Sequence, residues 1–395
     1  MPHSPPPPRF RRLLPMLALL SGLPAVGLAR ETAPVGIATF NMAWAGTLDD
    51  FRRHAEICSA PEVNGCGTRS RASSATHPVS PQDARTERCR EATLAAAGGF
   101  EAMISAAPCG AYGIRRYLSL PEAARNYRLK LEGLRATVEG LIRDEGVRVI
   151  AFQEIRSQAV IDYVLGDFAS RFNACVASHE AFQTVGFAWE RSLSPDSGAN
   201  DCTPNPELAI ASPAPPRQDA SHGYRTRPGL ALRLTIGGAP VTFLNIHLKA
   251  GCAHPTAGAR GDPPWDERDS ACGALGRQIP VLRAWIGGVA RSSPRFVLLG
   301  DFNRRIDEEL AAGAAPENSF WRRLADGLPG MRPIPPTSSA RECGRTAGLD
   351  HIVISAVLWG SQTHPPAVRR IATTQASAQA IPTSDHCPNI TTVEL

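Results

Sequence analysis

The feature that most constrains the fold is a series of short apolar runs, each about as long as one buried β-strand. Seven such runs occur: Val35–Phe40, Val147–Phe152, Val185–Trp189, Leu230–Leu234, Val241–Ile246, Phe296–Leu299 and His351–Ile354. Amphipathic helices are predicted between some of them, over Tyr127–Arg143 and over Gln278–Ala290, with Pro280 in the first turn of the second. Strands that alternate with helices, and also follow one another directly, predict an α/β fold with mixed sheets.

The first 29 residues differ from the rest of the chain. Three arginines between residues 9 and 12 precede an apolar core, Leu13–Leu20, and the small residues Gly27 and Ala29 follow at cleavage-site spacing. This order predicts a signal peptide over 1–29, with an uncleaved anchor as the alternative, and a single domain over 30–395. We therefore expect a secreted or periplasmic protein with no transmembrane segment in the mature chain.

The cysteines are interpreted in that oxidising context. There are 10 cysteines, an even number, which favours disulfides, and no closely spaced pair indicates zinc. Three pairs are predicted, the last because its members flank the candidate site described below: Cys252–Cys272, Cys175–Cys202 and Cys343–Cys387. The remaining four cysteines lie in one long segment.

That segment, at about 45–126, is predicted to be an insertion. It contains no convincing strand, and it is far longer than an ordinary connection between two elements. Its four cysteines would hold it together as a small subdomain, and its arginines are dense. A clamp for an anionic polymer and a solvated decoration are the two interpretations that remain open.

Polar residues follow four of the predicted strands at the point where each strand ends. Two further polar clusters occur near the C-terminus. The six sets are Asn41, Gln153-Glu154, Asn245-Ile246-His247, Gly300-Asp301-Phe302-Asn303, Asp350-His351 and Ser384-Asp385-His386. Ligands bind at strand ends in α/β proteins, and oxygen ligands of this kind suit Mg²⁺, Mn²⁺ or Ca²⁺.

This ordered set of motifs resembles the endonuclease/exonuclease/phosphatase superfamily, whose fold is that of DNase I. The matched motifs extend from about residue 35 to residue 390. The resemblance implies a four-layer α/β sandwich, in which two mixed β-sheets lie face to face with helices outside. It also implies a metal-dependent hydrolase acting on phosphoester bonds.

The resemblance further implies roles for individual residues. Glu154 would bind the metal, Mg²⁺ or else Mn²⁺ or Ca²⁺, with Asn41 and Asp385 beside it. His386 would be the general base, oriented by Asp350. Asp301 and Asn303 would orient the nucleophilic water and hold the phosphate. His247 would help to bind or protonate the phosphate.

Three further residues are candidates for substrate binding: Asn245, Lys249 and Arg191. The expected partner is nucleic acid or another phosphodiester substrate, and no stable protein partner is predicted.

Three functions remain open from the sequence. The first is an extracellular or periplasmic nuclease, which the arginines of 52–128 favour. The second is a phospholipid or small-molecule phosphodiesterase or phosphatase, for which Trp265 on a loop would supply an apolar contact. The third is a non-catalytic binding protein on the same scaffold. The net charge is +5, and loss of the three N-terminal arginines with the signal peptide lowers it to about +2. A charge so close to neutral is weak evidence for nucleic-acid binding.

Overall fold

Two mixed β-sheets form the centre of the molecule. The computed structural model describes residues 34–65, 81–107, 119–195, 201–211, 225–253, 270–328, 330–337, 346–378 and 381–395, with Met1, Cys109, Gly198 and Trp265. Within these residues twelve strands form two six-stranded sheets. The elements from Pro34 onward belong to one compact unit, and the predicted signal peptide lies outside the described residues.

The first sheet contains the strand that begins the described chain and the strand that ends it. Its order is β11-β12-β1-β2-β4-β3, in which β1 and β2 are parallel and the other neighbours are antiparallel. The strands are β1 Pro34–Ala45, β2 Val147–Ile155, β3 Phe172–Val176, β4 Thr184–Glu190, β11 Arg369–Arg370 and β12 Asn389–Glu394.

The second sheet repeats this arrangement. Its order is β5-β6-β7-β8-β10-β9, and β7 and β8 are its parallel pair. The strands are β5 Cys202–Asn205, β6 Gly229–Ile236, β7 Ala239–His247, β8 Phe296–Asp301, β9 Met331–Pro333 and β10 Asp350–Ser355. All seven predicted strands are present, whereas the short strands β3, β5, β9 and β11, and β12, were not predicted.

The two sheets pack face to face because apolar residues alternate along the strands. Val35 and Ile37 of β1 lie in the same buried cluster as Phe243 of β7 and Val297 of β8. The intervening residues Ala38 and Phe40 face the other way, toward the helices outside the first sheet. A separate cluster joins the second sheet to its own outer helices. The predicted four-layer α/β sandwich is therefore confirmed.

The helices cover the outer faces of both sheets. They are α1 Leu48–Ser59, α2 Pro61–Gly65, α3 Pro81–Ala97, α4 Phe100–Ser105, α5 Leu120–Arg143, α6 Gln158–Leu165, α7 Ala271–Ser292, α8 Ile306–Ala311, α9 Phe320–Ala325 and α10 Ala356–Gly360. Among the described residues, none of the helices is long and apolar enough to cross a membrane.

Both predicted helices begin earlier than expected, because capping residues upstream start them. Ser119 accepts a hydrogen bond from the backbone of Glu122 and begins α5, and Ser270 does the same for Gly273 and begins α7. Pro280 consequently lies inside α7, and its predicted position in the first turn is wrong.

The described parts of the 45–126 segment are helical. They form α1 to α4 and the start of α5, and Cys58 of α1 is bonded to Cys109. The predicted bonds Cys252–Cys272 and Cys175–Cys202 are confirmed. Cys387 is disulfide-bonded, but Cys343 lies outside the described residues, so their pairing stays a prediction.

Candidate active site

Strand register brings the polar strand ends together at one edge of the sandwich. In the first sheet Asn41 of β1 pairs with Gln153 of β2, one residue before Glu154. In the second sheet His247 of β7 and Asp350 of β10 both pair with Asp301 of β8. The carboxyl ends of the two parallel pairs therefore meet, as the rule for α/β proteins predicts.

Asn41 connects the two halves of this site. Its side-chain nitrogen lies 3.3 Å from Oε1 of Glu154 in its own sheet and 3.0 Å from Oδ2 of Asp301 in the other. Its side-chain oxygen accepts a hydrogen bond of 2.9 Å from the backbone N–H of Ala43. Asn41 thus presents a donor to both carboxylates, and its predicted place beside the metal stays a prediction.

The backbone is strained at the same place. Four described residues other than glycine have a positive φ, namely Ala43 at 48°, Trp44 at 56°, Glu154 at 57° and Asn303 at 52°. All four lie at or just beyond a strand end that faces the site. Such conformations persist only where their surroundings fix them, and they are common at functional sites.

His386 and Asp350 form a buried hydrogen-bonded pair. Nδ1 of His386 lies 2.7 Å from Oδ2 of Asp350, while Oδ1 of Asp350 has no partner among the described residues. Ser384 fixes the loop, because its hydroxyl accepts from the His386 backbone at 3.0 Å and donates to the carbonyl of Asn41 at 2.7 Å. Burial lowers the pKa of His386, but the charges of Asp350, Asp301 and Asp385 outweigh it and raise this pKa to about 10.

Asp301 lies between the two histidines, and Asn303 is bonded to it. Oδ2 of Asp301 is 3.5 Å from Nε2 of His247 and 3.9 Å from Nε2 of His386. Its Oδ1 accepts a 2.7 Å hydrogen bond from the backbone of Asn303, whose side chain donates to the carbonyl of Leu248 at 3.0 Å. Burial and the neighbouring charge of Asp350 raise the pKa of Asp301 to about 7.

His247 is buried against two carboxylates. Its Nε2 lies 3.6 Å from Glu154 and 3.5 Å from Asp301, and its Nδ1 is buried without a partner among the described residues. Burial, and the positive charges of Arg227, His386 and Lys249, hold its pKa well below the usual value of 6.5. His247 is therefore neutral near pH 7.

The donor set fits a divalent cation. Glu154 keeps 18% of its side chain exposed, and Asp301 and Asp350 are buried nearby. One possible set of three ligand atoms, from Asp301, Asp350 and His386, lies within 4.8 Å of one another. The raised pKa values of Asp301 and His386 show an excess of negative charge, which a cation would offset.

Two of the predicted substrate contacts need correction. Asn245 is fully buried between the sheets, where its oxygen accepts from Gln153 at 2.8 Å and its nitrogen donates to the carbonyls of Phe152 and Gly186. It therefore joins the sheets instead of facing a substrate. Arg191 follows β4, which runs antiparallel to β2, so it lies at the end of the first sheet opposite Glu154.

Two predicted residues remain. Lys249 comes two residues after His247, and it is half-buried beside the site. Asp385 is exposed, and its charge reaches His386 and Lys130.

Lys130 is a site neighbour that the sequence interpretation did not identify. It is 2% exposed, and its Nζ donates to the carbonyls of Met42 at 3.1 Å and Ala43 at 2.9 Å, beside Asn41. Burial lowers its pKa to about 8, against the charges of Glu154 and Asp385, which raise it. Its position four residues before the buried Leu134, on the apolar face of α5, is the signal that could have revealed it.

Solved structures resemble this chain at low sequence identity. No protein-family model and no curated protein matches the chain. An endonuclease/exonuclease/phosphatase from Bacteroides vulgatus is 10% identical, with 92% of this chain and 99% of that one covered and a TM-score of 0.45. Truncated TDP2 of Caenorhabditis elegans is 14% identical over 69% of this chain and 93% of that one, with a TM-score of 0.42.

A third solved structure is similar to the same extent. It is TDP2 of D. rerio complexed with single-strand DNA product, 15% identical over 68% of this chain and 93% of that one, with a TM-score of 0.42. The functional proposal therefore rests on the geometry of the site. The fold predicted from the motifs, that of the endonuclease/exonuclease/phosphatase superfamily, is confirmed by the two mixed six-stranded sheets.

Proposed function

We propose that this chain is a divalent-metal-dependent phosphodiesterase, in which His386 is the general base. The observation that carries the proposal is the convergence of the Asp350–His386 pair with Asp301 and Glu154 at one sheet edge. The non-catalytic alternative is disfavoured because each of the predicted catalytic residues is present there. A site with four acids and two histidines has no evident use in a purely structural protein.

Glu154 and Asp385 would hold the cation, with Asn41 positioning Glu154 and Asp301. When bound, Mg²⁺ or Mn²⁺ would neutralise the phosphate and stabilise the leaving oxygen. It would also lower the pKa of His386, because it offsets the same carboxylates that raise this pKa.

His386 would accept the proton of the attacking water. Asp350 accepts the hydrogen of Nδ1 at 2.7 Å, which fixes the tautomer and leaves Nε2 as the acceptor. Asp301, 3.9 Å from Nε2, would hold the water in place. The neutral His247 and the second N–H of the Asn303 side chain would contact the phosphate oxygens as hydrogen-bonding groups.

We propose a nuclease as the finer assignment, in a secreted or periplasmic protein. The disulfides support export, because such bonds persist in oxidising compartments. The lipid alternative loses its aromatic contact, because Trp265 is only 8% exposed and packs under the guanidinium groups of Arg304 and Arg323.

The metal requirement tests the proposal. We expect the purified chain to hydrolyse bis(p-nitrophenyl) phosphate with Mg²⁺ or Mn²⁺, to lose this activity in EDTA, and to regain it when metal is restored. Glu154→Gln removes a ligand charge without changing the size of the side chain, so it should raise the metal concentration for half-maximal activity at least about tenfold.

The control is Asp326→Asn. It removes an exposed carboxylate that forms an ion pair with Arg283 and is not among the candidate site residues. It should leave the metal dependence unchanged. Full activity in EDTA, or an unchanged metal requirement in Glu154→Gln, would contradict the assignment.

A further inference from the structure

The regular pairing of the parallel strands β1 and β2 is interrupted at Glu154. Asn41 pairs with Gln153, and the next register pair is Ala45 with Ile155, so three residues of β1 lie opposite Glu154 alone. The pairing of β2 with β4 shifts at the same point. Extra residues in one strand bend it and re-aim the side chains beside them, and such bulges are frequent next to active sites.

The three extra residues are Met42, Ala43 and Trp44, which we call the β1 bulge. Ala43 and Trp44 have positive φ angles of 48° and 56°, and Glu154 opposite them has one of 57°. A backbone of this kind is unfavourable for residues that carry a Cβ atom, so it persists only where contacts with other elements fix it. The conformation of the bulge therefore depends on what holds it in place.

Side chains from other segments accept this task by bonding to the carbonyls of the bulge. Nζ of Lys130, on α5, donates to the carbonyl of Met42 at 3.1 Å and to that of Ala43 at 2.9 Å. The carbonyl of Asn41, just before them, accepts from the hydroxyl of Ser384 at 2.7 Å. Buried carbonyls need such partners, and Lys130 alone serves two consecutive ones.

Lys130 is buried to an extent that is unusual for a lysine. It is 2% exposed, and a lysine is rarely placed in a core unless its ammonium group has partners there. One turn earlier on α5, the Tyr127 hydroxyl donates to the carbonyl of Gly46 at 2.9 Å and accepts from its N–H at 3.0 Å. Two side chains of one helix thus hold the segment at the bulge and just beyond it.

The ammonium group also lies within electrostatic range of the candidate metal ligands. Burial lowers the pKa of Lys130, and the charges of Glu154 and Asp385 raise it. Asn41, which begins the irregular segment, lies 3.3 Å from Glu154 and 3.0 Å from Asp301 through its side-chain nitrogen. The bulge that Lys130 holds is therefore continuous with the residues of the site.

We propose that Lys130 is a positioning residue for the candidate metal site. It fixes the β1 bulge, and the fixed bulge holds the Glu154 carboxylate and the Asn41 amide in the orientation that binds a cation. This inference rests on the proposed function, in which Glu154 holds that cation. Lys130 acts through the backbone of the bulge and not by contact with the substrate.

The direction of the change in metal affinity separates this role from two others. The positive charge of Lys130 repels a cation, so a neutral substitution would strengthen metal binding if charge were its main effect. Loss of its hydrogen bonds would weaken binding if positioning is its main effect. A lysine that contributed only to stability would leave the affinity of the folded protein unchanged.

The test uses the purified full chain without substrate, and Mn²⁺ as the probe. Lys130→Met keeps the length of the side chain and removes its charge and its donors, whereas Lys130→Arg keeps both. The matched control is Thr137→Val, about two turns along the same helix, which removes a buried hydroxyl bonded to the carbonyl of Gly133 at 2.8 Å and to the N–H of Thr374 at 2.9 Å. Electron paramagnetic resonance measures free Mn²⁺, and hence Kd.

We expect the Kd for Mn²⁺ to rise on the order of tenfold in Lys130→Met, as it does when a partner of a metal ligand is lost elsewhere. Lys130→Arg should bind more tightly than Lys130→Met, because donors to the two carbonyls remain. Thr137→Val should lose thermal stability and keep its Kd. In the metal-free proteins, the backbone amides of residues 42–46 should exchange hydrogen faster in Lys130→Met, but not in Thr137→Val.

An equal or tighter affinity for Mn²⁺ in folded Lys130→Met would overturn the positioning role, as would unchanged hydrogen exchange over residues 42–46. If Lys130→Met does not fold, Lys130→Gln takes its place, since it is neutral and keeps one donor group, and the same two outcomes decide. A wild-type protein that neither binds Mn²⁺ nor hydrolyses bis(p-nitrophenyl) phosphate contradicts the proposed function itself. Binding by the wild type with an unchanged Kd in the variant overturns the role of Lys130 alone.

Discussion

Two buried pairs of opposite charge lie beside the turn at Gly300–Asn303, and they use their hydrogen-bonding capacity differently. In the Arg304–Glu309 pair both carboxylate oxygens are fully satisfied. One oxygen accepts from Arg304 at 2.5 Å and from the backbone of Phe320, and the other accepts from Ser319 and the backbone of Trp321. Both side chains are completely buried.

The Asp350–His386 pair is left open. One oxygen of Asp350 has no partner among the described residues, and Nε2 of His386 has only the carboxylate of Asp301 at 3.9 Å. The Glu309 carboxylate is complete without a ligand and holds the chain in place, whereas under the proposed function the unused oxygen of Asp350 and Nε2 of His386 are available to water and substrate. Burial and charge are alike in the two pairs, and what differs is the carboxylate: all the oxygens of Glu309 are used, and one oxygen of Asp350 is not.

The largest expected effect separates the two pairs by activity. Asp350→Asn and Glu309→Gln make the same chemical change, from a carboxylate to its amide. Asp350→Asn should lower kcat/KM on the order of 10²–10⁴ fold, because His386 loses the partner that fixes its tautomer. Glu309→Gln should keep most of the activity at a temperature where it is folded. Steady-state kinetics on both variants with bis(p-nitrophenyl) phosphate measures this, and equal losses in the two would remove the distinction.

The next prediction concerns stability, where the variant with the larger effect is Glu309→Gln and not Asp350→Asn. Glu309→Gln should lower the free energy of unfolding by about 3 kcal/mol. The new amide nitrogen, itself a donor, would face hydrogen-bond donors that now bond to the carboxylate, and Arg304 would lose its counter-charge. Asp350→Asn should lower the free energy of unfolding by less than Glu309→Gln does, because the amide can still bond to His386 with either its oxygen or its nitrogen, and because loss of the Asp350 charge removes the repulsion that raises the pKa of Asp301. Urea unfolding followed by fluorescence compares the two. A larger loss in Asp350→Asn than in Glu309→Gln would contradict the comparison.

The last effect concerns His54, a buried histidine. It packs against Trp44 and Phe51, and burial lowers its pKa to about 4. The unfolded chain binds a proton near pH 6.5, and the folded chain does not until about pH 4. This contribution to stability is therefore complete above pH 6.5 and is lost as the pH falls toward 4, by up to about 3 kcal/mol.

The measurement is the difference in unfolding free energy between the wild-type protein and His54→Gln, taken from pH 7 to pH 4. The variant should be less stable at pH 7, and its stability should fall less steeply with acid. His179 also titrates in this range, and it is common to both proteins, so its contribution cancels. Parallel curves would mean that His54 does not contribute to the acid sensitivity.

The sequence predicts the parts of the fold that depend on local pattern. Apolar runs such as Val241–Ile246 identify central strands, because these are buried on both faces. Polar residues at their ends, such as Glu154 and Asp301, predict a candidate site, because parallel strands expose their carboxyl ends at one edge. The short edge strand β5, Cys202–Asn205, carries no comparable pattern and was missed.

The predictions that failed depend on the direction of a strand or on the depth of a residue in the sandwich. The spacing of residues along the sequence reveals neither. Arg191 was expected near Glu154, but β4 reverses direction relative to β2 and places it at the far end. Asn245 lies two residues before His247 and shares its face of the strand, yet it is deeper in the sandwich, where the other sheet occupies its amide. Lys130 was passed over because a lysine on a helix is usually exposed.

The bridge that Asn41 makes between the sheets has a consequence for how activity is lost. Glu154 belongs to one sheet and Asp301 to the other, and the Asn41 side chain touches both. A molecule in which each sheet is intact but the two have separated therefore has no complete site. If the chain has the proposed activity, hydrolysis would therefore report on the docking of the two sheets and not on their secondary structure. In a denaturant titration, we expect turnover to vanish at the first step that parts the layers, even while circular dichroism still records strands and helices.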